Sequence, residues 1–164
     1  SRPIWTQWAV DVGGLGELSV AAIIGSCGDP ADYRGPAALW KRFGLGFAIS
    51  PEGEQVRQRK TTDAAMAVLM GYSPERRSTM HVIGECLVRA KKQYYQRYLS
   101  EKEAITAAHP ELTKGHIHRR AMRKMEKRLL ADIWVTSRRL RGENVENKGD
   151  EICTVAAAHE TLAA

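Results

Sequence analysis

"HIHRRAMRKMEKRLLADIW" (116–134) is the stretch on which the fold turns. Ala121, Met125, Leu129 and Ile133 recur every fourth residue, and Met122 and Leu130 widen them into an apolar stripe. Such a helix has to bury that face. The remaining faces carry Arg119, Arg120, Arg123, Lys124, Lys127 and Arg128, and Arg138, Arg139 and Arg141 extend the basic surface. Two readings compete for these cations. They either meet a phosphate backbone, or they form a solvated face on which Glu126 pairs with Arg119, Arg123 or Lys127. Either way, a long basic helix is expected over 116–140.

Upstream, "GYSPERRSTMHVIGECL" (71–87) opens with Ser73 before Pro74, an N-cap followed by a residue suited to the first helical turn. Met80, Ile83, Leu87 and Tyr94 keep helical spacing, so one helix is expected to run from 74 to 99. Arg76 and Arg77 fall in its first turn, where the helix dipole disfavours cations. An external phosphate, or pairing with Glu75 or Asp63, would account for them. "QYYQRY" (93–98) mixes aromatics and cations, but Tyr94 and Tyr98 share a face and read as core. A helix over 64–70 is capped by Thr61 or Thr62 and ends at Gly71. Another, over 36–43, ends at Gly44. Residues 47–49 read as a small strand and 51–60 as a polar loop or hairpin arm. Past Arg141 the chain turns acidic, and 142–164 is expected to be a flexible tail with at most a weak helix over 154–164. The fold class is mainly α with at most a minor β-hairpin, built on a helical domain over 1–141.

"VGGLGELSVAAII" (12–24) breaks a short helix over 4–10 and starts another over 18–24. This fits a helix–hairpin–helix over about 4–24. Backbone N–H groups at Gly14, Leu15 and Gly16 would face a phosphate, and the Leu15 side chain would pin the two helices. An ordinary turn between packed helices is the competing reading.

The chain has 164 residues with a net charge of +6, enough for one domain with a core and favouring an acidic partner. Nucleic acid is the commonest such partner. No apolar run reaches the roughly 20 residues needed to cross a bilayer. Ser1-Arg2-Pro3 does not read as a leader, and the missing initiator Met reads as a trimmed or partial chain. Cys27, Cys86 and Cys153 are odd in number and widely spaced, which points to a reducing cytoplasm rather than to disulfides or zinc. His116 and His118 lie on different faces of a helix without an acidic or thiol partner at ligand spacing, so no metal site is expected.

The order of parts resembles a known family. A glycine hairpin (13–16) precedes "GDPADYRGPAALWKRFGL" (28–45), then come a loop, the "GYSPERRSTMHVIGECL" helix and a basic C-terminal helix. This is similar to the C-terminal domain of bridge-RNA-guided, serine-using insertion-sequence transposases, and the resemblance covers about 10–140. It implies a DNA-binding protein of a mobile element, bacterial or phage-like and associated with the nucleoid. It also implies a role for Ser50 as recombination nucleophile, since Ser50 follows the Gly44-Leu45 turn. The family's acidic N-terminal domain is not in this sequence. A serine nucleophile needs a base or a metal site to activate it. The isolated chain is therefore expected to be inactive, and Mg²⁺ to matter only with an acidic domain supplied from elsewhere. DNA is the expected partner, RNA binding or assembly with other copies is the alternative, and no membrane is involved.

Overall fold

The computed structural model describes residues 2–145. The expected weak helix over 154–164, Cys153 and nearly all of the acidic tail lie outside the described residues. The architecture is mainly helical with one small antiparallel hairpin, as the residue pattern required. The elements in chain order are α1 (Arg2–Gln7), α2 (Glu17–Cys27), α3 (Pro36–Arg42), β1 (Phe47–Ile49), β2 (Gln55–Arg57), α4 (Ala64–Met70), α5 (Pro74–Ala90), α6 (Gln93–Ala108) and α7 (Lys114–Leu140). Short 3-10 turns lie at Ala9–Asp11 and Pro30–Asp32.

The 27-residue α7 is the axis on which the rest is assembled. Its stripe is fully inside: Ala121, Met125, Leu129, Leu130 and Ile133 are buried completely. Burying each large aliphatic side chain stabilises the fold by about 1.5–3 kcal/mol. Helices α1, α3, α5 and α6 all pack on α7, as does the Pro30–Asp32 turn. The 28–45 segment is tied to it by two indoles. Trp40 Nε1 donates to the Lys127 carbonyl at 2.8 Å, and Trp134 Nε1 to the Tyr33 carbonyl at 2.7 Å. Arg141 closes the C-terminal end by pairing with Asp29 and Asp32.

The expected helix over 74–99 is two helices. It stops at Ala90, where Lys91 takes a left-handed conformation with φ 52°. Nothing in "VRAKKQYYQ" (88–96) signals a stop, because it holds neither Gly nor Pro. The stop is tertiary. By turning back, α6 lays Tyr94, Tyr98 and Ile105 into the core against α7. The cap of α4 also differs from expectation: the Asp63 carboxylate, not Thr61 or Thr62, accepts from Met66 N–H at 2.8 Å. Ser73 caps α5 as expected, accepting from Arg76 N–H, and Gly71 ends α4 with φ 55°.

The hairpin pairs Phe47 with Arg57, Ala48 with Val56 and Ile49 with Gln55. The polar arm is anchored by Gln58, which is buried. It donates from Nε2 to the Met70 carbonyl at 2.6 Å and accepts from Gly46 N–H at 3.1 Å. Among the described residues no helix is long and apolar enough to cross a membrane.

Candidate nucleic-acid interface

The glycine turn at 13–16 is packed against the end of α5. Gly14 has φ 89°, and a Cβ there would stand 2.7 Å from Ala90 Cβ and 2.9 Å from the Cys86 carbonyl oxygen. A Cβ on Gly13 would meet the Lys92 side chain, 2.8 Å from its Cβ. Gly14 thus lets the turn approach the backbone of α5, and Gly13 makes room for the Lys92 side chain. Leu15 is buried, pinning the turn as expected. Gly16 is the N-cap of α2 and has open space around it, but Glu17 supplies a carboxylate in the first turn of that helix. A carboxylate there already interacts with the dipole's positive end. The packing reading therefore accounts for Gly13 and Gly14 without a ligand.

The cations converge elsewhere. A groove of about 560 Å³ runs between α5 and α7. Arg77, Ser78, His81 and Glu85 line it from α5, and His118, Arg119, Met122 and Arg123 from α7. Tyr72 and Pro74 complete the lining. Arg77 of α5 and the pair Arg119 and Arg123 of α7, remote from it along the chain, share one concave surface. Glu85 is the one acid among the described residues lining it.

Beneath the groove lies Glu126, whose side chain is fully buried. Its Oε1 accepts from Arg77 Nη1 at 3.1 Å. Space for it comes from Gly84, in mid-helix: a Cβ there would stand 3.0 Å from Glu126 Oε1. Burial pushes the Glu126 carboxyl up to about 7, against the pull of the Arg77 and Arg123 guanidinium groups. The internal partner of Glu126 is thus Arg77 on another helix, rather than a neighbour on α7. Arg123 is fixed as well, donating from Nη2 to the Gly44 carbonyl at 3.3 Å. Burial and the nearby Arg77 and Arg57 charges lower its pKa. Arg119 is exposed. His118 accepts or donates at Nδ1 to the Tyr98 hydroxyl at 2.8 Å, and its Nε2 lies 3.6 Å from Glu85 Oε1.

The other cations on α7 serve different neighbours. Lys124 pairs with Glu101 of α6 at 3.0 Å. Lys127 lies over the Trp40 ring at 5.1 Å and the Phe47 ring at 5.4 Å. Arg128 pairs with Asp132 at 3.0 Å, and Asp132 also accepts from the Tyr94 hydroxyl at 2.8 Å. Arg120 is half-buried outside the groove lining. Arg76 donates from Nε to the Arg42 carbonyl at 3.0 Å and so caps the end of α3 instead of facing the groove.

Comparison with protein families, curated proteins and solved structures finds no match.

Ser50 sits at the hairpin turn and is nearly buried. Its Oγ accepts from Glu54 N–H at 3.2 Å, and its hydroxyl donates to the Glu52 carboxylate, which lowers that group's pKa. Both contacts hold the turn. Among the described residues no three His, Cys, Asp or Glu side chains are grouped to hold a metal ion. The Cys27 thiol is pushed up to about 11 by burial, so it stays protonated near neutral pH. Residue-by-residue reading did not single out Tyr72, His81 or Gly84. Only Gly84 carried a signal, since a glycine in a helix interior marks a close approach.

Proposed function

We propose that this chain is a nucleic-acid-binding module whose contact surface is the groove between α5 and α7, and that its partner in a mobile element is DNA. One observation carries the reading: Arg77, Arg119 and Arg123 come from two helices to one concave surface, with Glu85 the single acid in its lining among the described residues. Clustered guanidinium groups are the usual recognition chemistry for phosphate. The net charge of +6 adds long-range attraction for a polyanion. Binding through such groups is directed at the backbone, nearly indifferent to sequence and strongly weakened by salt.

The resemblance of 10–140 to the C-terminal domain of serine-using transposases supports the mobile-element setting. The nucleophile reading of Ser50 gains little from its surroundings, because its hydroxyl is engaged with Glu52 and Glu54 of its own turn and, among the described residues, no acidic cluster that could hold a metal ion is present. The function therefore rests on binding, with any strand chemistry left to a partner domain.

Fluorescence anisotropy against duplex DNA and structured RNA across a salt series tests this. Arg119→Ala is expected to weaken binding alike for every sequence and to reduce the salt slope by about one. Unchanged affinity at low salt for Arg119→Ala combined with Arg123→Ala removes the groove from the reading. Stronger binding to the RNA than to the duplex would replace the DNA partner with RNA.

A further inference from the structure

We infer that the groove seats one unpaired nucleotide, base and phosphate together, rather than the outside of a duplex; this rests on the nucleic-acid reading above. The groove's size comes first. About 560 Å³ of concave space falls within the 300–1,000 Å³ typical of small-ligand sites. A duplex backbone is convex and needs no such depth.

The lining comes second. Its cations suit a phosphate, whereas Pro74 and the ring of Tyr72 present apolar surface. Aromatic and apolar walls suit the flat face of a base, which stacks without regard to sequence. A base held in a duplex is already stacked and paired, and reaches a recess only when unpaired or extruded.

Third, the walls are set before any ligand arrives. Gly44, with φ 69°, brings its backbone so close to Tyr72 that a Cβ would stand 2.9 Å from the ring. The same Gly44 carbonyl holds Arg123, and Glu126 holds Arg77. A ring and two guanidinium groups fixed in advance lose little conformational freedom on binding.

The test compares two single-stranded probes by anisotropy. One is a ten-residue oligodeoxythymidylate. The other has the same backbone with every base replaced by an abasic analogue. The base-bearing strand is expected to bind about 5- to 100-fold more tightly. Tyr72→Ala should erase that difference while leaving the abasic strand's affinity unchanged, and Tyr72→Phe should preserve it. Equal affinity of the two strands for the unaltered protein, with Arg119→Ala weakening both, overturns the inference and leaves the groove as a plain phosphate-binding surface. If neither strand binds at low salt, the nucleic-acid reading falls and this inference with it. The comparison of probes on the unaltered chain needs no variant to fold.

Discussion

Gly14 and Glu126 are each tied to a partner remote in sequence, Gly14 to the end of α5 and Glu126 to the Arg77 guanidinium. At Gly14 the left-handed φ of 89° and the 2.7 Å approach to Ala90 both exclude a side chain. Gly14→Ala is expected to destabilise the fold by about 1–3 kcal/mol, read as a lower midpoint in urea unfolding. Gly16→Ala, with open space around the site and φ −77°, should change the midpoint far less. Glu126 gives a pH signature. Its carboxyl titrates near 7 in the folded chain and near 4.5 when unfolded, with Arg77, Arg123 and Glu85 as the charges that bear on it. Between those values the folded state holds the extra proton. This group's contribution to stability therefore declines as pH rises from 4.5 towards 7 and is constant outside that window. Glu126→Gln should flatten that part of the stability–pH curve, read from urea midpoints across about pH 4 to 8.

At the scale of elements, the junction of α5 and α6 stands out. Lys91 is the one non-glycine residue with positive φ among those described. A side chain in that conformation costs roughly 1 kcal/mol that glycine avoids. Lys91→Gly is expected to raise the melting temperature by a few degrees, since about 1 kcal/mol corresponds to about 2–4 °C at this chain length. The strain persists because the turn lets α6 bury Tyr94, Tyr98 and Ile105. It also sets Ala90 and Cys86 against the glycine turn. Two elements that are remote in sequence thus fix one another's geometry.

For the molecule as a whole, the charge is divided by role. Lys124 pairs with Glu101 of α6, Lys127 lies over Trp40 of α3 and Arg128 pairs with Asp132 within α7, while Arg77, Arg119 and Arg123 share the groove. Net charge alone predicts equal effects from removing any one of these cations. The structure predicts a difference: in DNA titrations at matched salt, Arg119→Ala should weaken binding several-fold and Lys124→Ala only slightly. Equal losses would mean that the polyanion responds to overall charge rather than to the groove.

The sequence by itself determined the helical class, the apolar stripe of α7, the Ser73 cap, the Gly71 stop and the inward face of Tyr94 and Tyr98. These depend on residues close together in the chain, through 3.6-residue periodicity and local hydrogen bonds. The tertiary structure alone decided the break at Lys91, the pairing of Glu126 with Arg77, the notch at Gly84 and the use of Gly14 for packing. It also decided which cations face one groove. Each of these depends on contacts between residues far apart in sequence, whose partners no local pattern specifies. Periodicity identified the buried face of α7, but only the packing of α5 beside it turned the remaining charges into a site.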